Sequence, residues 1–173
     1  MIQKKYIMSE GLAFSEEKDI KKLKYMASKG WLLDSFAFMG YKLKKAKPQN
    51  VTYSIDYQDI DDDSFEEYTE TFEAGGWTHV CSSHGMHIFA AEPGTAPIYT
   101  DRSTLIEKYK RSETSVRHVT IVLICLTLLA TILHYITGIS KWVPLTCFLV
   151  TLPSVLTLAA AKGRVLGIWG KSV

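Results

Sequence analysis

Residues 25–31 read YMASKGW, and residues 71–77 read TFEAGGW. Each stretch closes a run of helical spacing on a glycine and then passes to tryptophan. The second Gly-Trp pair follows the first by 76 − 30 = 46 residues. A helix ends readily on a residue that tolerates left-handed backbone, and glycine does so without a Cβ clash. The spacing therefore predicts two helices stopped in the same way, each followed by a strand that starts at Trp31 or Trp77.

Working outward, Ser15 can cap the first helix, with Glu16 and Glu17 in its first turn, favourable against the helix dipole. Ile20, Leu23, Met26 and Ala27 then recur at helical spacing, with lysines between them. In the second helix Asp63 and Glu66 have capping-box spacing, and Phe65, Tyr68, Thr69 and Phe72 form the apolar stripe. Hairpin-like pairs follow each helix: Trp31–Phe38 with Tyr41–Lys45, and Trp77–Ser82 with Met86–Ala91. Extended runs precede each, Lys4–Ser9 and Val51–Tyr57, the latter (VTYSIDY) alternating apolar and polar residues. The expected fold over residues 1–98 is thus α+β, a duplicated β-α-β-β unit: an antiparallel sheet with two helices on one face.

The remainder is different in kind. Val119–Thr137 holds 19 residues without a formal charge, and Pro144–Ala161 holds 18. At helical rise each spans about 27–29 Å, close to the thickness of bilayer hydrocarbon. These runs predict a two-helix transmembrane hairpin, residues 119–137 and 144–161, preceded by a basic stalk helix over 99–118 and followed by a tail, 162–173. Lys108, Lys110, Arg111 and Arg117 precede the first run, where they would meet anionic headgroups, and Lys162, Arg164 and Lys171 follow the second. The turn between holds Lys141, so both termini are expected to be cytoplasmic in a multi-pass protein of the cell membrane. The opening MIQKKYIMSEG has no apolar core, so no export signal is expected there. Trp142 and Trp169 would suit the two interfaces.

Charge agrees with this division. Residues 1–98 carry 11 lysines and 15 acids, net −4, whereas residues 99–173 carry 9 basic residues and 3 acids, net +6. An acidic first region argues against nucleic acid as a partner. Cys81 should be a reduced thiol, and Cys125 and Cys147 lie at opposite membrane depths, too far apart to pair within one hairpin.

Several of these segments together resemble a known family. The run LAFSEEKDIKKLKYMASKGWLL looks like the opening of bacterial proteins with domain of unknown function 2812. VTYSIDY resembles that family's central strand, YTETFEAGGWTHV its second helix and strand, and MHIF its closing strand. IYTDRSTLIEKYKR is similar to its segment before the membrane. The resemblance covers residues 1–111. It implies no reaction and no catalytic residues, and it is loosely linked with genes for small transcriptional regulators.

Four groups of side chains remain as candidate sites. Trp31 and Trp77 are expected to fill helix–sheet junctions, or else to flank a pseudo-symmetric cleft for an apolar or cationic ligand. In WLLDSFAF, strand alternation points Trp31 and Leu33 opposite to Leu32, Phe36 and Phe38. A strand apolar on both faces needs a second cover: a ligand, another copy, the stalk helix or lipid. His79, Cys81, His84 and His87 are possible metal ligands, with His79 and Cys81 on one strand face, but they match no established ligand spacing. Asp59, Asp61, Asp63 and Glu70 fall on calcium-loop positions, yet Ser64 replaces the required glycine and Phe65 already belongs to a helix.

No cofactor is implied, and no nucleophile–base pair or phosphate loop is legible. The two helices differ in charge, but exposed pairs between them would contribute only about 0–1 kcal/mol each. In the first membrane run, Thr120, Thr127, Thr131 and His134 share one helical stripe and should face a neighbouring helix. The expected protein is a noncatalytic, membrane-anchored regulatory or sensory module that binds a protein or small apolar ligand, with the lipid bilayer and a protein partner or second copy as companions. The alternative is a membrane accessory or immunity-type subunit acting mainly through its hairpin.

Overall fold

A computed structural model describes residues 3–99, 102–138 and 140–170; the side chains of 12–14, 102, 115 and 167–170 lie outside that description, and with them Trp169, as does Lys171. The elements are β1 (Lys4–Met8), α1 (Leu12–Ser28), β2 (Trp31–Ala37), β3 (Gly40–Lys45), β4 (Thr52–Tyr57), α2 (Phe65–Glu73), β5 (Thr78–Ser83), β6 (Met86–Ala91), α3 (Arg102–Thr137) and α4 (Trp142–Gly170). They form two compact units that divide between Lys108 and Tyr109.

The first unit is mixed α+β with two small antiparallel sheets, ordered β1-β3-β2 and β4-β6-β5. The expectation of a single sheet with both helices on one face is corrected here. Leu23 and Ala27 of α1 enter one core with Ile7, Leu33, Tyr41 and Leu43 of the first sheet and Tyr53, Ile55, Cys81 and Ile88 of the second. Helix α2 takes the opposite face of the second sheet, where Tyr68 and Phe72 pack with Trp77 and Phe89. Two helices on opposite faces bury both sides of β6, which explains the continuous run Ile88-Phe89 at zero exposure.

Both helix ends follow the sequence expectation. Gly30 and Gly76 take φ of 77° and 81°. At the second, the Trp77 and Gly76 N–H groups reach back to the carbonyls of Phe72 and Glu73, satisfying the last turn in a Schellman pattern. A Cβ on Gly30 would stand 2.7 Å from the Ala46 carbonyl oxygen, so close chain approach reinforces the requirement. The helix starts differ from expectation. Ser15 has non-helical dihedrals within α1, and Asp62–Ser64 forms a 3-10 turn ahead of α2, with no side-chain cap from Ser64.

Neither β2 nor β5 is regular. In β2 the register slips between Leu33 and Ser35, and in β5 between His79 and Cys81. Each bulge inserts one residue and reverses the alternation beyond it. Trp31, Leu33 and Phe36 therefore share the face of Tyr41 and Leu43, contrary to simple alternation. Likewise His79 lies opposite Phe89 on one face while Cys81 lies opposite Ile88 on the other.

In the second unit, α3 and α4 are long and apolar enough to cross a membrane, over Ser103–Thr137 and Trp142–Leu166. Leu128, Ile132, Phe148 and Val150 point outward, unlike the buried stripe of a soluble core helix. The polar stripe of α3 turns toward α4: the Thr120 hydroxyl meets Ser154 at 2.7 Å and Thr127 meets Thr151 at 2.7 Å. Each threonine also bonds its own i−4 carbonyl, so these pairs add a tie between the two helices. From Arg102, helix α3 runs unbroken through the rest of the expected stalk and the first span, and α4 continues to Gly170, through most of the expected tail.

Candidate functional site

On the polar face of β4, Tyr68 of α2 reaches over Asp56. Asp56 there is 1% exposed. Its carboxylate accepts the Tyr57 N–H at 2.7 Å, the Tyr68 hydroxyl at 2.8 Å and the Tyr99 hydroxyl. On the adjoining face the Tyr57 hydroxyl donates to Glu16 at 3.2 Å. Lys108 also donates to Glu16, and its ammonium lies 5.6 Å and 5.1 Å from the ring centroids of Tyr57 and Tyr99. Glu16 and Lys108 are 6% and 3% exposed. Charges so buried persist only when paired, and the two aromatic faces add cation–π attraction.

This chain of contacts fastens the first turns of α3 to α1, β4 and α2. Lys108, expected at the membrane surface, is instead inside the first unit. Lys110 and Arg117 are exposed and Arg111 is partly so, as headgroup contact would require. Sequence reading missed the network because Glu16 and Lys108 lie 92 residues apart. The clean alternation of VTYSIDY was the available signal that Asp56 and Tyr57 sit on opposite faces of one strand.

A third buried carboxylate holds the start of α1. Asp19 accepts from the Ser9 hydroxyl, the Glu10 N–H and the Tyr41 hydroxyl. Burial, then the Asp19 charge, pushes the Tyr41 phenol above its ordinary range.

The histidine group is split by the β5 bulge. Cys81 belongs to the core, where burial pushes its thiol up to about 12, an unreactive state. His79 Nε2 lies 2.7 Å from Ser82 Oγ, Ser82 Oγ lies 2.7 Å from His87 Nδ1, and His87 Nε2 lies 2.9 Å from the Gln58 carbonyl. A carbonyl only accepts, so His87 Nε2–H donates to it; in the neutral ring Nδ1 then accepts the Ser82 hydroxyl hydrogen bond, and Ser82 Oγ accepts from His79. His84 sits at the hairpin tip with φ of 49°. Among the described residues no group of three or more histidine, cysteine or acidic side chains could hold a metal.

Burial, then the neighbouring His87, holds the His79 imidazole below its ordinary pKa of 6.5. The unfolded chain therefore binds the His79 proton more readily than the folded one. This contribution to stability is complete above about pH 6.5 and is lost as pH falls toward the folded value. Urea midpoints of the wild type should drop more steeply between pH 7.5 and 5.5 than those of His79→Asn. Equal slopes would remove His79 from the acid response.

The aromatic candidates separate into different roles. Trp77 is buried and donates its indole N–H to the Ala96 carbonyl at 2.9 Å, a packing position. Trp31 is half-buried beneath Lys45 and Lys5, at 4.8 Å and 5.6 Å from its ring. Phe36 packs on Tyr41 with centroids 5.8 Å apart, whereas Phe38 at the β2–β3 turn is 88% exposed. Trp77 thus belongs to a different cluster from Trp31 and Phe36, and Phe38 to the exposed turn. An open groove of about 360 Å³ lies beside α2, with Asp59, Asp61 and Glu67 on its wall. Asp63 belongs to the 3-10 turn and Glu70 to α2, so these acids do not form a calcium loop.

The class so defined is a small α+β domain whose last helix continues as the first of two membrane-length helices. The chain belongs to the family described as proteins of unknown function DUF2812, whose model matches residues 15–124, from the kink of α1 into the apolar part of α3. No curated protein and no solved structure matches it.

Proposed function

We propose that this chain is a noncatalytic regulatory module of the cell membrane, with residues 1–108 in the cytoplasm, α3 and α4 crossing the bilayer, and both termini inside. Basic residues flanking both apolar runs support that orientation. One observation carries the regulatory reading: the buried Lys108–Glu16 pair joins α1 to the helix that enters the membrane. A partner or ligand that moves α1 or α2 would act on α3 through Glu16, Tyr57 and Asp56. A binder in the acidic groove beside α2 would be basic.

The two halves also read as a duplication. In each, the third strand is central, the helix ends on a positive-φ glycine, and the bulges recur 79 − 33 = 46 residues apart, the same interval as the Gly-Trp pairs. The hairpin-led alternative has less support, because Thr120 and Thr127 already pair with Ser154 and Thr151 of α4 within one chain.

Hydrogen exchange of the full chain in nanodiscs tests the coupling. Glu16→Gln should raise exchange over residues 103–118 while the cores of the two sheets stay protected. Unchanged exchange there would mean that domain and helix act independently.

A further inference from the structure

We propose that the β2–β3 hairpin tip and the outer face of the first sheet form a docking surface for anionic lipid headgroups. The proposal rests on the membrane-anchored reading above. Phe38, Met39, Met8 and Tyr6 are 88%, 66%, 59% and 49% exposed, and they are neighbours. Met8 pairs with Gly40 across the ladder, the Ser9 N–H donates to the Met39 carbonyl, and the Tyr6 hydroxyl donates to the Phe38 carbonyl at 3.0 Å. Met39 holds φ of 52°, a conformation that usually falls to glycine or asparagine in turns. A two-residue turn that carries phenylalanine and methionine there, pinned by two hydrogen bonds, presents a rigid apolar wedge. Rigidity matters because little conformational freedom is lost when it inserts.

The surrounding charge names the occupant. Lys4 and Lys44 face each other in the ladder, as do Tyr6 and Lys42, on the side of the sheet away from the core. Asp34 is the acid among them, bonded to Lys4 at 3.0 Å and facing Lys44 at 3.7 Å. Lys22 reaches the Met8 carbonyl at the tip at 2.9 Å and faces Glu10 at 3.7 Å. All 11 lysines of the first 98 residues lie between positions 4 and 47, with 5 acids, while residues 49–98 carry 10 acids and no lysine or arginine. An anionic surface attracts the first half and repels the second, which orients the domain with its tip inward. A narrow wedge is a poor match for a flat protein interface, which needs about 800 Å² per partner. Two membrane-length helices keep a bilayer within reach of the chain.

The test places an environment-sensitive fluorophore on Met39→Cys in the full chain carrying Cys125→Ser and Cys147→Ser; Cys81 is buried and stays in place. In nanodiscs of phosphatidylcholine with phosphatidylglycerol, the emission should shift to the blue and be quenched by nitroxide-labelled lipid. Added salt, or Lys42→Glu with Lys44→Glu, should abolish both. Absence of quenching, or equal quenching in phosphatidylcholine alone, overturns the proposal. A blue shift in detergent that grows with protein concentration assigns the tip to a second copy and overturns it as well. A parallel sample labelled at Cys125 reports the span: if that probe escapes quenching, the membrane reading has failed rather than the docking surface.

Discussion

Lys108→Ala should lower the stability of the full chain by about 3–5 kcal/mol, because it breaks a buried ion pair by removing the ammonium that Glu16 accepts from beside Tyr57. The double variant Lys108→Met, Glu16→Leu should recover most of that loss, since an apolar pair of similar volume avoids the cost of desolvating two charges. Denaturant unfolding in a mild detergent, followed through Trp31 and Trp77, measures both variants. If the single variant lost no more than a surface lysine does, within about 0.5 kcal/mol, the pair would not be a fastening point. The double variant carries the functional information: it should be stable yet differ from wild type in any signal that depends on that polar joint.

Phe89→Ala should cost a similar amount, about 3–5 kcal/mol, as expected for emptying a fully buried aromatic site. Its ring stacks on Phe72 with centroids 4.1 Å apart, and Tyr68 and His79 approach it edge-on at 5.9 Å and 5.5 Å. Helix α2 has 9 residues, too few to persist alone in water. It is held by that aromatic cluster and by Tyr68 on Asp56. Exchange over residues 65–73 should therefore rise well before global unfolding, and the groove beside α2 should be lost with it. A loss below about 1 kcal/mol would show that the helix has another anchor.

Both variants act at places where reading along the chain was least informative. Alternation is a local rule, and one inserted residue inverts it: that is why Phe36 joins Leu33 in the core and why His79 and Cys81 part company. A bulge depends on how the partner strand is paired, which no single strand encodes. Lys108 illustrates the same limit for charge. Beside Lys110, Arg111 and Arg117 it reads as one more basic stalk residue, and only Glu16, brought in from α1, distinguishes it.

Local chemistry was legible from the residues alone: glycine where the chain must turn left-handed, apolar runs as long as a bilayer is thick, and a threonine stripe that needed a facing helix. Those features rest on interactions within a few turns of chain, so the sequence by itself determined the elements, the glycine ends of α1 and α2 and the two membrane-length helices. Only the tertiary structure decided that the strands form two sheets, that α1 and α2 cover opposite faces of the second, and that Lys108 is buried with Glu16. These outcomes depend on pairing between segments far apart in the chain, where burial and desolvation, not local preference, set the free energy.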